Sequence, residues 1–293
     1  MMDIKVGPGD IKALALDLDG TTLMPGAVLG DRTLYTLKAL RTKGIEIILC
    51  TGRAVEAAER FRLPIGAEGP MVYFNGAEVT EMPSGRVLDA TLLDAEAVNF
   101  CVDISRRLGL YYQVFLPPRG DAPDGASPAD KYRRVLMAEK WGPGAEMYLN
   151  HTGIKAEIGD LKEALTLPGV SGCIKSMFIA EPEVQDKVRP LIEERFGRGI
   201  YIARTLRTFL EIMNSRVSKG RGLRVALETR GLEPSQVMAF GDEENDLPLF
   251  EGAAYSVAPS NAKETVRQAA DITIGSNAEE SVAAFLEEFF GLH

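Results

Sequence analysis

Residues 12–21 read Lys-Ala-Leu-Ala-Leu-Asp-Leu-Asp-Gly-Thr, a nearly unbroken apolar run that stops at Asp17 and Asp19. Continuous apolarity over 12–18 suits a strand buried on both faces of a parallel sheet, where a half-exposed strand would alternate. The chain that follows keeps to this plan. After a turn-rich stretch, Asp31 is placed to cap a helix carrying Leu34, Leu37 and Leu40 on one side, closed by Gly44. IEIILC at 45–50 reads as the next buried strand, followed by Thr51-Gly52-Arg53 and a short helix around 55–62. MVYF at 71–74 is a third strand, and Asn75-Gly76 marks its turn.

The far end repeats the alternation. Residues 218–229 read as a helix capped by Ser218 and stopped by Gly231, and VMAF at 237–240 is a strand leading into GDEEND. AYSVA (254–258), a helix near 262–270, ITI (272–274) and a last helix follow. That helix is expected to start at Asn277, with Glu280 three residues on in a capping-box-like position. Two strand–helix series at opposite ends of one chain imply an α/β fold: one Rossmann-like core with a parallel sheet, built from both ends.

The middle differs. MPSG at 82–85 reads as a hairpin turn, 94–108 as a helix stopped by Gly109, and the proline-rich 116–130 as a loop. Helical stretches near 158–167 and 183–196 alternate with the strands KSMFIA and TFLEIM, and Pro190 is expected to interrupt or bend the second helix. The expected division is a core of 1–87 and 212–293 around an inserted α+β domain of 88–211. Alternation in its strands suggests a sheet covered by helices on one face.

With 45% hydrophobic and 26% charged residues, the 293-residue chain has an ordinary globular composition. Against 33 basic side chains stand 42 acidic ones, a net charge of −9, which argues against a nucleic-acid or anionic-membrane surface. The histidines are His151 and His293 alone, so catalysis must run on carboxylates, hydroxyls and lysine. Cys50, Cys101 and Cys173 lie far apart with no C-x-x-C spacing and read as reduced, buried residues. Without a signal-peptide pattern or a membrane-length apolar run, the chain is expected to be a soluble cytoplasmic protein. Nothing in the sequence bears on its oligomeric state.

Four motifs stand at or just past strand ends, where open α/β sheets bind ligands. Asp17-Leu18-Asp19-Gly20-Thr21 brings two carboxylates to one side, and leaving both charged calls for a hard cation such as Mg²⁺. Thr51-Gly52-Arg53 offers a hydroxyl and free amides at a helix start, an anion site. Lys219, after Ser218, opposes a helix dipole unless an anion joins it. Gly241-Asp242-Glu243-Glu244-Asn245-Asp246 gathers four carboxylates, with Asp242 and Asp246 able to share a face. Each motif alone has a plain structural explanation as a cap, a turn or a solvated charge. Four in this order do not.

At this point the sequence resembles the haloacid dehalogenase-like (HAD) hydrolases, Cof-type subfamily IIB. The resemblance runs through DLDGT, TGR, FNGA at 74–77, LEIM…VSKG at 210–220 and GDEENDLPLF at 241–250. Asp17 to Thr51 is 34 residues, one strand–helix–strand step, whereas Thr51 to Lys219 is 168, so the extra domain lies between the second and third motifs. In this family that is the place of a C2B cap. The resemblance implies that Asp17 is the nucleophile forming an aspartyl-phosphate and that Asp19 is the acid and base. It implies Mg²⁺ held by the Asp17 carboxylate, the Asp19 main-chain carbonyl and the Asp242 carboxylate. Thr51, Gly52 and Lys219 would bind phosphoryl oxygens, with Asn245 a further candidate and Asp246 supporting Lys219. Arg53 and Asn75 match family positions without an assigned role.

The second aspartate and the acidic fourth motif favour phosphoryl chemistry over dehalogenation. The function expected is therefore an Mg²⁺-dependent phosphatase of small phosphorylated metabolites, sugar phosphates first. A phosphosugar mutase or phosphotransferase would keep all four motifs, and a phosphate-binding regulator would keep the fold without turnover. Asn214-Ser215-Arg216 and SVAPSNA (256–262) depart from the usual family pattern. Near the proline-rich loop, Lys131, Arg133 and Arg134 are candidates to meet substrate anions.

Overall fold

The computed structural model describes residues 6–117 and 134–292. They fall into two units: one takes the residues up to Arg53, Ala58–Asp89 and those from Ser218 onward, and the other takes Ala54–Ala57 and Ala90–Val217. The first unit opens with β1 (Ala13–Leu16), α1 (Asp31–Thr42), β2 (Glu46–Leu49), α2 (Val55–Ile65), β3 (Gly69–Tyr73), β4 (Glu78–Met82) and β5 (Arg86–Ala90). The second unit continues with β6 (Leu93–Asp94), α3 (Ala95–Leu108), β7 (Tyr111–Leu116), β8 (Val135–Ala138), α4 (Pro143–Thr152) and β9 (Glu157–Ile158). It goes on through α5 (Leu161–Ala164), β10 (Gly172–Cys173), β11 (Lys175–Ile179), α6 (Pro182–Phe196), β12 (Ile200–Leu206) and β13 (Phe209–Asn214). The first unit then resumes with α7 (Lys219–Arg230), β14 (Val237–Phe240), α8 (Leu247–Glu251), β15 (Tyr255–Pro259), α9 (Glu264–Ala269), β16 (Ile272–Ile274) and α10 (Ser281–Phe290).

In the first unit a parallel sheet runs in the order β16-β15-β14-β1-β2. β1 is buried along its whole length, as its unbroken apolar run requires. Beside β2, the Thr51 amide donates to the Val72 carbonyl at 2.9 Å, so β3 extends the same layer. The registers Leu16↔Phe240 and Leu16↔Leu49 bring three strands to an end at one level. From β1 the chain proceeds to β2 on one side, while β14 to β16 add outward on the other. The order therefore reverses between β1 and β14, and the crevice beyond their carboxyl ends is where such sheets hold ligands.

Helix boundaries correct several expectations. α1 begins at Asp31 itself, without a side-chain cap, and the Thr33 amide donates instead to the Glu280 carboxylate at 2.7 Å. That bond also accounts for the last helix. With Glu280 turned to α1 and held at φ 51°, the capping box expected from Asn277 does not form, and α10 starts at Ser281. Ser218, by contrast, caps α7 as expected, accepting from the Arg221 amide at 3.1 Å.

The second unit is built on a sheet of order β12-β13-β11-β7-β8-β9, antiparallel except for the β8–β9 pair. Tyr112, Val114, Leu116, Phe178, Leu210 and Ile212 face a core shared with Val98 and Cys101 of α3 and Val188 and Ile192 of α6. Coverage is not confined to that face. β7 is buried at every position, and Tyr148 of α4 packs its ring against Phe115 and Phe209 on the other side. The helix expected over 158–167 shrinks to α5, because Ile158 pairs with Ala138 and Asp160 caps what remains by accepting from Lys162 and Glu163 amides. α6 runs through Pro190 without a break; Pro190 and Asp186 are both exposed, so the carbonyl left without a donor faces water. From residue 118 onward, the loop expected over 116–130 lies outside the described residues.

α7 lies close on β3. A Cβ built at Gly222 would stand 2.4 Å from Cγ1 of the fully buried Val72 and 3.2 Å from the Gly76 Cα. Gly222→Ala is therefore expected to cost about 1–3 kcal/mol by overpacking. In the double variant with Val72→Ala the loss should be smaller than the sum of the two single losses, measured by urea unfolding. Additive losses would place the strain elsewhere.

Candidate active site

Asp17 follows β1 directly, and Asp242 and Asp246 follow β14 in the neighbouring loop, so the sheet register sets these carboxylates side by side. All three are buried, with exposures of 5, 8 and 0%. Their oxygens come within 4.8 Å of one another. Lys219, the first residue of α7, enters from a third segment, and its Nζ donates to Asp17 Oδ1 at 2.5 Å and to Asp246 Oδ1 at 2.6 Å. It is 2% exposed, so the solvated surface lysine that the sequence also allowed is not what forms. Asp246 Oδ2 accepts from the amides of Asp242 and Glu243, both at 3.0 Å. Asp246 is thus spent on organising its own loop and on Lys219.

Burial lifts the Asp17 carboxyl well above the ordinary carboxylate range, opposed by Lys219 and reinforced by Asp246 and Asp242. Asp242 is pushed up to about 6, first by burial, with the Thr21 hydrogen bond opposing and Asp246 adding to the rise. Burial favours loss of the Lys219 proton, but Asp17 and Asp246 outweigh it and hold the ammonium above its usual range. Three carboxylates and one ammonium leave two uncompensated negative charges, the complement of one divalent cation. Asp17 Oδ2 and Asp242 Oδ2 accept no hydrogen bond among the described residues, and they are hard oxygen donors of the kind Mg²⁺ takes. The residues present therefore fit a divalent cation, with Asp17 and Asp242 the carboxylates free to bind it.

Asp19 stands apart from this cluster. Its side chain is half exposed and held in a two-bond fork by Arg53, Nε and Nη2 each at 2.6 Å. Arg53 itself is nearly buried and lies over the Phe61 ring, 5.0 Å from its centroid. The expectation that alternation sets Asp17 and Asp19 on one side gives way here: β1 ends at Leu16, and past the strand no pleat dictates direction. Thr51 is buried and its hydroxyl accepts from the Arg53 amide at 3.1 Å, while Gly52 lies against Asn75. Asn245 donates to Asn75 Oδ1 at 3.0 Å. Glu243 and Glu244 are exposed and face Lys263, as a solvated helix start would.

Supports that carried no separate signal in the sequence also appear. The Thr21 hydroxyl donates to Asp242 Oδ1 at 2.7 Å, the Thr22 hydroxyl to the Asp17 carbonyl at 2.5 Å, and Asn261 to the Gly20 carbonyl at 2.8 Å. Thr21 belongs to the first motif; Asn261 lies in the departing SVAPSNA run, and only the fold shows what it reaches. Lys131 and Arg133 lie outside the described residues, and the Arg134 side chain is buried rather than solvated.

The sequence model of the haloacid dehalogenase-like hydrolases matches residues 14–286. A Haemophilus influenzae relative is 31% identical over 290 residues, 96% of this chain and 97% of its own. A Bacillus subtilis 5-amino-6-(5-phospho-D-ribitylamino)uracil phosphatase is 29% identical, over 95% of this chain and 97% of its own. Among solved structures, a haloacid dehalogenase-like hydrolase from Bacteroides thetaiotaomicron superposes with a TM-score of 0.82 at 25% identity, over 96% of this chain and all of its own.

Raised carboxyl pKa values favour the protonated cluster, so its contribution to stability is full below the ordinary carboxylate range and lost as pH climbs through about 6. A divalent cation opposes that loss by replacing protons. In thermal melts, Mg²⁺ is expected to raise Tm more at pH 7.5 than at pH 5, and Asp242→Asn should abolish most of the difference. A pH-independent rise would mean that the cation binds elsewhere.

Proposed function

Since the chain belongs to the haloacid dehalogenase-like hydrolase family, we propose that it is a phosphatase of small phosphomonoesters, sugar phosphates among them, that works with Mg²⁺ through an aspartyl-phosphate. The observation that carries this reading is the buried set of Asp17, Lys219, Asp246 and Asp242 at the aligned ends of β1 and β14.

Asp17 attacks phosphorus while Lys219, 2.5 Å from one of its oxygens, favours its charged form against burial and orients it. Thr51, the amides near Gly52, Lys219 and Asn245 receive the phosphoryl oxygens as charge builds on them. Asp19, outside the buried cluster, gives a proton to the departing oxygen and then takes one from the water that attacks the phosphoenzyme. Mg²⁺, held by the Asp17 and Asp242 carboxylates and the Asp19 main-chain carbonyl, would supply the positive charge that lets an anionic nucleophile approach an anionic ester. Asp246 keeps Lys219 in place. Residues 88–211 are assigned as the cap that selects the leaving group, and the three buried, unpaired cysteines are consistent with a reducing, cytoplasmic setting.

The test is release of inorganic phosphate from a panel of phosphorylated metabolites, with and without Mg²⁺. Asp17→Asn should lower kcat by about three orders of magnitude or more, and Asp19→Asn by about 10²–10⁴ on alkyl phosphates. Full activity in Asp17→Asn would sink the mechanism. Isomerised sugar phosphate without free phosphate would make the protein a mutase.

A further inference from the structure

We propose that Asn75 is a positioning residue: it ties the phosphoryl-binding ends of the second and fourth motifs to the turn after β3, which at Gly76 packs on the start of the third. The inference rests on the phosphatase reading for what these ends bind.

The turn touches all three. The Phe74 amide donates to the Arg53 carbonyl at 3.1 Å and the Asn75 amide to the Thr51 carbonyl at 3.0 Å. A Cβ at Gly76 would stand 2.1 Å from the Ser218 carbonyl oxygen and 3.2 Å from the Lys219 amide nitrogen, so the turn lies directly on the start of α7. The Asn75 side chain accepts from Asn245, 170 residues away, and its Oδ1 is 2.8 Å from where a Cβ at Gly52 would be. Asn245 directly precedes Asp246, which holds Lys219. Thr51 lies two residues before Arg53, which holds Asp19. A shift of this turn would thus reach both the lysine and the exposed aspartate.

The backbone supports the same reading. Phe74, Asn75 and Gly76 have φ values of 51°, 58° and 91°, three left-handed residues in succession. A bulky residue such as phenylalanine takes this region only where its surroundings over-determine it. An Asn-Gly turn joining two antiparallel strands needs no more than a solvated asparagine. Here Phe74 is 0% and Asn75 5% exposed, and the amide is spent on a distant loop. A connection alone does not account for that.

Asn75→Gly keeps the left-handed backbone and removes only the side chain. The experiment measures binding of inorganic phosphate by calorimetry in Mg²⁺, kcat/KM on an aryl phosphate, and Tm, for wild type, Asn75→Gly, Asn245→Ala and the double variant. Loss of one hydrogen bond that orders a binding loop is expected to weaken phosphate binding about tenfold, with a matching fall in kcat/KM. Tm should stay within about 2 °C of wild type in Asn75→Gly, and the double variant should bind phosphate no more weakly than Asn245→Ala. Wild-type phosphate affinity in Asn75→Gly would overturn the proposal. So would losses that add in the double variant and track a falling Tm, the mark of a merely structural turn. Should Asn75→Gly fail to fold, Asn75→Ser, too short to reach Asn245, decides: the same tenfold loss supports the link and unchanged affinity removes it. If the wild type binds phosphate without turning over any ester, the phosphatase reading fails while the binding data still decide the role of Asn75. No phosphate binding by the wild type would overturn both.

Discussion

A single ammonium group, Lys219 Nζ, is the point on which the site depends. Placing a cation at 2% exposure is costly unless its charge is met at contact distance, and Asp17 and Asp246 meet it at 2.5 and 2.6 Å. The position is awkward from the standpoint of α7 as well, since a lysine at a helix N-terminus opposes the macrodipole. Both costs are offset by the same two carboxylates. The three groups come from the end of β1, the start of α7 and the loop after β14, so satisfying one buried charge pins together three segments far apart in sequence. Removing the lysine leaves two buried carboxylates without their shared cation, and removing either carboxylate leaves the ammonium with one partner in place of two.

The surroundings then separate aspartates that the sequence sets side by side. Asp17 is enclosed and shares its field with Lys219, Asp242 and Asp246; Asp19, two residues on, is half exposed and held in the fork of Arg53. Here the division has a simple origin: the strand ends between them. Asp17 still sits at the level of the sheet, and Asp19 has passed beyond it into the turn.

Strands such as β1, β2 and β14 are legible because burial on both faces leaves no choice but continuous apolarity, and Gly231 and Ser218 mark the bounds of α7 in a purely local way. The motifs are legible for the same reason, as polar residues that break such runs. What is not legible is whatever depends on a distant partner. The start of α10 departs from its local pattern because Glu280 serves α1 rather than its own helix. The direction of Lys219 could not be chosen between solvent and the interior, because the deciding carboxylates lie in other segments. Arg53 and Asn75 had no readable role, since one answers to Asp19 and the other to Asn245. The second face of β7 also looked open, because the ring that covers it comes from Tyr148 in a helix of modest amphipathicity.

The register of β1 between β2 and β14 has a consequence for the order of assembly. β1 and β2 are made early, but the strand that closes the other edge of β1 emerges only after residue 237, behind the whole inserted segment. During synthesis that apolar edge, with its row of unpaired amides and carbonyls, stays open for most of the chain's length, and open hydrophobic edges invite pairing with other chains. Asp17 and Lys219, 202 residues apart, meet only when α7 and β14 arrive. Closure of the sheet and completion of the charge set are therefore one late event. A nascent or truncated chain that ends before residue 219 lacks both the strand that covers this edge and the lysine that meets Asp17.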